Sequence, residues 1–178
     1  MLHRKFFSII ISFLLVYIFF GSAFLPLGAQ QPDFSKSIQN GLLLEERISM
    51  KELLHKLAGK HKFVLFDARG KKSYDKRHID GAILPLSPDY YQKEELFRTG
   101  IVKDPPDRDR DLAESLKKYP KDFPIVTYCN DHCQASAVLL LQIKHFGFTK
   151  VRAMEDGIQS WQTKGYPVVP ASGRTDKK

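Results

Sequence analysis

The sequence predicts an α/β protein in which a parallel sheet of four or five strands is flanked by helices on both faces. Short apolar runs of strand length, the clearest at residues 63–66 and 125–128, alternate along the chain with segments of helical period. Strands that are apolar throughout are typical of a sheet covered on both faces, and the alternation of strands with helices is typical of parallel pairing.

Length and composition are those of one ordinary domain with extra segments. The chain has 178 residues, of which 43% are hydrophobic and 27% charged, so a packed core is expected rather than disorder. The net charge is +8, but the basic residues are scattered with no run of five, and nucleic-acid binding is therefore not expected. Two cysteines are too few for a disulfide framework.

The N-terminus has the pattern of an export signal. Arg4 and Lys5 precede an almost wholly apolar run at residues 6–20. Small residues then follow at 21–23 and again at 27–29, and the first of these sites fits the cleavage pattern better.

Two interpretations of this segment stay open. Residues 1–29 are a signal peptide that is removed, or residues 6–27 form an uncleaved anchor long enough to span a bilayer. In both cases the basic end stays in the cytoplasm. We therefore expect the domain to be periplasmic or otherwise extracytoplasmic, either soluble after cleavage or membrane-anchored.

The rest of the chain divides into a linker at 30–46, a domain at 47–170 and a flexible tail at 171–178. Residues 30–46 lack a sustained period. The domain is expected to open with a helix capped by Ser49, with Glu52 in capping-box spacing, before the strand at 63–66.

Polar residues follow that first clear strand. Asp67 and Arg69 lie where parallel sheets place a ligand crevice, and they are interpreted as a structural ion pair or as support for the cysteine loop described below. His78 is expected in a turn, followed by a short strand near residues 81–86. Residues 87–110 contain Gly, Pro and four Asp and are expected to form an excursion with at most a short helix.

Both cysteines lie in a six-residue segment, 129–134, between the strand at 125–128 and a helix that runs toward Gly147. A loop that leads into a helix presents backbone N–H groups and the positive end of the helix dipole. We therefore expect these groups to favour the thiolate of Cys129, which is the nucleophilic form of the side chain.

This arrangement resembles the active-site loop of the rhodanese (sulfurtransferase) family. Two further stretches resemble the signatures that precede and follow that loop in the family, in the family's order and over roughly residues 47–170. They are Asp67-Ala68-Arg69 with His78-Ile79-Asp80-Gly81-Ala82, and Asp156-Gly157 with Trp161 and Gly165-Tyr166-Pro167.

The resemblance implies that Cys129 carries sulfane sulfur as a persulfide, without a cofactor. It implies a sulfur donor that is a small sulfur-containing anion or a protein persulfide, and an acceptor that is a thiol or a cyanide-like nucleophile. The remaining residues of the implied substrate-binding loop are Asn130, Asp131, His132, Cys133, Gln134 and Ala135.

The loop departs from the family pattern in its charge. Many members have Arg where this chain has Asn130 and Gln134, and Asp131 adds a negative charge. Affinity for a dianion such as thiosulfate is therefore questionable, and a neutral or protein-bound donor, or a weak enzyme, fits better. A Cys-x5-Arg phosphatase is disfavoured because the sixth residue after Cys129 is Ala135.

Cys133 leaves several interpretations open. It is a packing residue at the start of the helix, a resolving thiol for a Cys129 persulfide, or, with Cys129 and His132, part of a metal site, which is disfavoured because no second ligand pair at zinc spacing exists. At the level of function, the alternatives to a sulfurtransferase are a non-catalytic rhodanese-like binding module and a thiol–disulfide redox protein that uses both cysteines.

Overall fold

The computed structural model describes residues 41–42, 44–59 and 61–171. The predicted signal or anchor segment (1–29), most of the predicted linker and residues 172–178 of the predicted tail lie outside this part of the chain. Within the described residues, no helix combines the length and the apolar character needed to cross a bilayer.

Five strands form a parallel sheet, as the sequence predicts. They are β1 (Arg47–Ile48), β2 (Val64–Asp67), β4 (Ala82–Ile83), β5 (Ile125–Tyr128) and β6 (Val151–Met154), in the spatial order β1-β6-β5-β2-β4. All four neighbouring pairs are parallel. A separate antiparallel ribbon joins β3 (His78–Ile79) to β7 (Val168–Val169). Strand β5, which leads into the cysteine loop, is therefore the middle strand of the sheet.

Six α-helices and one 3-10 turn are defined in the described residues. The turn is Leu44–Glu46, and the helices are α1 (Met50–Ala58), α2 (Lys71–Lys76), α3 (Pro88–Arg98), α4 (Arg108–Leu116), α5 (Ala135–His145) and α6 (Ile158–Thr163). The predicted cap of α1 is present, because the Ser49 hydroxyl accepts a hydrogen bond from the N–H of Glu52.

Both faces of the sheet are buried, which explains why its strands are mostly apolar. Alternate strand residues enter opposite cores: Val64 and Phe66 belong to one, whereas Leu65 belongs to the other. Buried residues of α3, α4 and α5 line the first core, and those of α1 and α6 line the second. The predicted helices on both faces are thus confirmed.

Two expectations need correction. Residues 87–110 are not mainly an excursion: they contain the three-turn helix α3 and the start of α4. Ser87 caps α3 by accepting from the N–H of Tyr90, and it also binds both oxygens of Asp111, through its N–H at 2.7 Å and its hydroxyl at 2.6 Å. The turn expected at His78 is instead the two-residue strand β3, and Leu42 of the predicted linker is buried in the first core.

Candidate active site

The central strand positions the cysteine loop. Cys129 directly follows β5, and α5 begins at Ala135, so the loop contains the six residues that the sequence indicates. Thr127 of β5 connects the base of the loop to helix α5, because its hydroxyl donates to the carbonyl of Ser136 at 2.9 Å. The site thus lies at the carboxyl end of a parallel sheet, the usual edge for ligand binding in such folds.

The Cys129 thiol is buried, with only 2% of the residue exposed. Its Sγ donates toward the carbonyl oxygens of Cys133 at 3.0 Å and Asn130 at 3.3 Å, and lies 3.4 Å from the hydroxyl of Ser136. Burial raises the pKa of Cys129 to about 12, although hydrogen bonds from Ser136 act in the opposite direction. The expectation of a stabilised thiolate is therefore wrong for this conformation, because carbonyl oxygens and burial favour the neutral thiol.

Cys133 occupies a different environment. It is only half-buried, and its Sγ accepts a hydrogen bond from the N–H of Ala135 at 3.4 Å, at the start of α5. A helix-start N–H thus binds the second cysteine as well, since the backbone of Ser136 hydrogen-bonds to Cys129. Both thiols are free, and the side chain of Cys133 hydrogen-bonds to that of Cys129.

Asp131 attaches the loop to helix α6. Its carboxylate accepts from the N–H of Ser160 at 3.2 Å and from the Ser160 hydroxyl at 2.6 Å. Its own N–H donates to Oε1 of Gln159 at 2.8 Å, and the N–H of Ile158 binds the carbonyl of Cys129 at 2.9 Å. The carboxylate of Asp131 is therefore bound by α6, a contact that no spacing in the sequence indicates.

Gly157 permits this close contact between the loop and α6. A Cβ atom at this position would lie 1.9 Å from the backbone nitrogen of Asp131 and 2.1 Å from the backbone carbonyl carbon of Asn130. No side chain fits at such distances, so the glycine of the closing signature has a steric role next to the cysteine loop.

The other predicted loop residues line the same turn. His132 is exposed and has a positive φ of 56°, a conformation that L-residues adopt rarely. Gln134 is the N-cap residue of α5 but makes no side-chain cap hydrogen bond. The loop contains no Lys or Arg. In the part of the chain that the structure describes, no cluster of His, Cys, Asp and Glu side chains has a metal-binding arrangement.

Asp67 and Arg69 form an ion pair that supports the end of β5. The Arg69 guanidinium binds the Asp67 carboxylate at 2.6 Å, and their side chains are 7% and 0% exposed. Asp67 also accepts from the Tyr128 hydroxyl at 2.6 Å, which in turn accepts from the N–H of Ile79 at 3.2 Å. The ion pair therefore contacts, through Asp67, the residue directly before Cys129.

Sequence reasoning missed Tyr128 in this network. Burial, with the neighbouring charge of Asp67, raises the pKa of Tyr128 well above its ordinary value, so its hydroxyl stays a donor. The sequence contains one signal for this role. Tyr128 ends a strand that is expected to be buried, and a buried hydroxyl requires a hydrogen-bond partner. His78 lies in strand β3, with its ring stacked on Tyr74 at 3.9 Å.

A doubly covered parallel sheet with a cysteine loop after its central strand defines a thiol-bearing α/β domain. The family model described as "Rhodanese-like domain" matches residues 49–164. The chain therefore belongs to the rhodanese-like domain family, as the motifs in the sequence indicate.

Solved structures share the fold at low identity. The BH2092 protein from Bacillus halodurans is 19% identical, with a TM-score of 0.53, over 71% of this chain and 78% of that chain. The Alr3790 protein from Anabaena is 19% identical, with a TM-score of 0.51, over 69% of this chain and 91% of that chain. A solution structure of the rhodanese-like domain of the same Anabaena protein is 20% identical, with a TM-score of 0.50, over 76% and 87%. A search among curated proteins found no significant match.

Proposed function

We propose that this protein is a sulfurtransferase that carries sulfane sulfur as a persulfide on Cys129. The single observation that carries the proposal is the position of this cysteine, which follows the central strand of a rhodanese-like sheet and begins a six-residue loop. The surroundings are also suitable, because Asp67, Arg69 and Tyr128 fix the strand end and α6 fixes the loop.

The reaction has two substitution steps. The Cys129 thiolate attacks the outer sulfur of a donor such as thiosulfate, the sulfur–sulfur bond of the donor breaks, and sulfite leaves with the bonding electrons. An acceptor thiolate then attacks the outer sulfur of the persulfide, and the Cys129 thiolate departs. Because burial raises the pKa of Cys129 to about 12, loading requires the loop to open and expose the sulfur to solvent and donor.

The donor that fits this loop best is neutral or protein-bound. The loop contains no Lys or Arg. The carboxylate of Asp131 accepts a hydrogen bond from Ser160 but remains part of the loop. A dianion therefore meets hydrogen-bond donors but no guanidinium. We propose a thiol acceptor, and we propose that the reaction takes place outside the cytoplasm, because the basic and apolar start of the sequence has the pattern of an export segment.

A non-catalytic binding module is the second candidate. The observation that favours it is the burial of Cys129, whose thiol donates to two carbonyl oxygens. A thiol–disulfide redox protein is the third, because the two free thiols are in contact. The three candidates predict different masses for the protein after exposure to a sulfur donor.

Mass spectrometry of the purified full-length chain after exposure to thiosulfate or a polysulfide separates the three candidates. A sulfurtransferase gains about 32 Da on Cys129, and the gain disappears on treatment with cyanide. The Cys129→Ser variant is expected to lose the adduct and all sulfur transfer, because a hydroxyl forms no persulfide. An unchanged mass with both donors indicates a binding module, and a loss of about 2 Da without any adduct indicates a disulfide.

A further inference from the structure

The two cysteines of the loop differ in their solvent exposure. Cys129 is 2% exposed, whereas Cys133 is half-buried and has part of its surface open to solvent. Between them, the backbone brings the carbonyl of Cys133 to 3.0 Å from the Sγ of Cys129. While the loop is closed over Cys129, an external thiol thus has access to the second cysteine but not to the first.

The partner of the Cys133 sulfur also suits transfer chemistry. The N–H of Ala135 donates to it at the first residue of α5, where the helix dipole is positive. Its side chain contacts the thiol of Cys129, and neither cysteine is engaged in a disulfide. A packing residue at this position would need neither an N–H partner nor contact with the first sulfur.

We propose that Cys133 is a second catalytic thiol, which takes the outer sulfur from the Cys129 persulfide and presents it to thiol acceptors at the surface. The proposal rests on the proposed sulfurtransferase function and extends it to the path that sulfur takes out of the site. In this scheme Cys129 holds the sulfur as a persulfide, and Cys133 transfers it to the acceptor.

The relay needs no oxidant or reductant. The Cys133 thiolate attacks the outer sulfur of the Cys129 persulfide, a new sulfur–sulfur bond forms at Cys133, and the bond to Cys129 breaks. The electron pair of the broken bond stays on the Cys129 sulfur, which takes up a proton. An acceptor thiolate then attacks the outer sulfur at Cys133 and releases the Cys133 thiolate.

The test compares a small acceptor with a larger one in the full-length chain. Wild type and Cys133→Ser are loaded with thiosulfate or a polysulfide and discharged with cyanide or with glutathione. We expect discharge to cyanide to change less than discharge to glutathione in the variant, because cyanide is small enough to reach Cys129 directly. We expect discharge to glutathione to slow by about tenfold or more, since the loss removes an intramolecular step. Peptide mapping of rapidly quenched wild type is expected to find the adduct on both cysteines.

The outcomes separate this inference from the proposed function. If no adduct forms on wild type with either donor, the sulfurtransferase function is refuted and the relay with it. If Cys129 is loaded but glutathione discharges both proteins at the same rate, the relay alone is wrong. Sulfide release with a disulfide between the two cysteines also overturns the relay, because Cys133 then attacks the inner sulfur. Should Cys133→Ser not fold, the wild-type mapping decides: an adduct never found on Cys133 refutes the relay.

Discussion

Substitution of Gly157 by alanine tests whether the contact between the cysteine loop and α6 holds the site together. The new Cβ atom would lie 1.9 Å from the nitrogen of Asp131, whereas real Cβ contacts essentially never fall below 3.0 Å. The two backbone segments therefore have to separate by at least about 1 Å. The neighbouring atoms belong to backbone, so no side-chain rotation relieves the clash.

Such a shift removes specific interactions whose size can be estimated. Separation by about 1 Å takes the Asp131 carboxylate out of hydrogen-bond range of Ser160, where its contacts are 2.6 and 3.2 Å. A hydrogen bond to a charged group contributes about 1.5–3 kcal/mol. With the cost of overpacking, we expect Gly157→Ala to lower the free energy of unfolding by roughly 2–4 kcal/mol.

Urea unfolding of the purified chain measures this change, with Gly41→Ala as the matched control. A Cβ atom at Gly41 meets no atom within 4 Å, so that substitution should be neutral or slightly stabilising. The thiol of Cys129 should also react faster with a maleimide in Gly157→Ala, because the displaced loop exposes it. Equal unfolding midpoints and equal thiol reactivity in the two variants would refute this account of the loop.

Three further predictions concern charge and protonation. Gln134→Arg should raise kcat/KM for thiosulfate by about three- to tenfold and leave a neutral sulfane donor unaffected; an equal gain with both donors would contradict a charge effect. Asp67→Asn should cost about 3–5 kcal/mol in urea unfolding, because it leaves Arg69 buried without its carboxylate, whereas the exposed Asp75→Asn should cost under about 1 kcal/mol. Alkylation at Cys129, followed by peptide mapping, should keep accelerating up to about pH 11, since only the thiolate reacts and burial raises its pKa to about 12; a plateau below pH 8 would show that the native thiol ionises readily.

The parts of the fold that the sequence predicts are those with a strong local pattern. Strands β2 and β5 are apolar runs bounded by polar residues, and the motifs around them fix their order. Strand β1 has only two residues, Arg47 and Ile48, which is too short for any period to be visible. Its position at the sheet edge comes from pairing with β6, more than a hundred residues later.

The sequence contains a start signal for helix α3, but the composition of the residues that follow it favoured a loop. Ser87 followed by a proline at the first helical position is a usual helix start, but the Gly and Asp residues farther along favoured an excursion. The lesson is that a cap and a proline at N1 weigh more than the average polarity of the segment.

At the candidate site, the sequence predicts which residues come together but not how they face one another. Cys129 lies at the predicted position, yet its sulfur also faces carbonyl oxygens, and a helix-start N–H binds the sulfur of Cys133 as well. The orientation of Asp131 depends on Ser160, which is far away in the chain and belongs to no motif of the loop. Side-chain direction inside a short loop is set by such tertiary contacts, and no period or spacing records them.

The pairing of distant strands sets the order in which the domain is completed during synthesis. The β3–β7 ribbon joins residues 78–79 to 168–169, and β1 pairs with residues 153–154. Neither pairing forms until the C-terminal part of the domain has been synthesised. The helix that receives Asp131 is also made after the loop. Until α6 emerges, the loop of a nascent chain therefore lacks the hydrogen bonds that Asp131 and the carbonyl of Cys129 form with that helix.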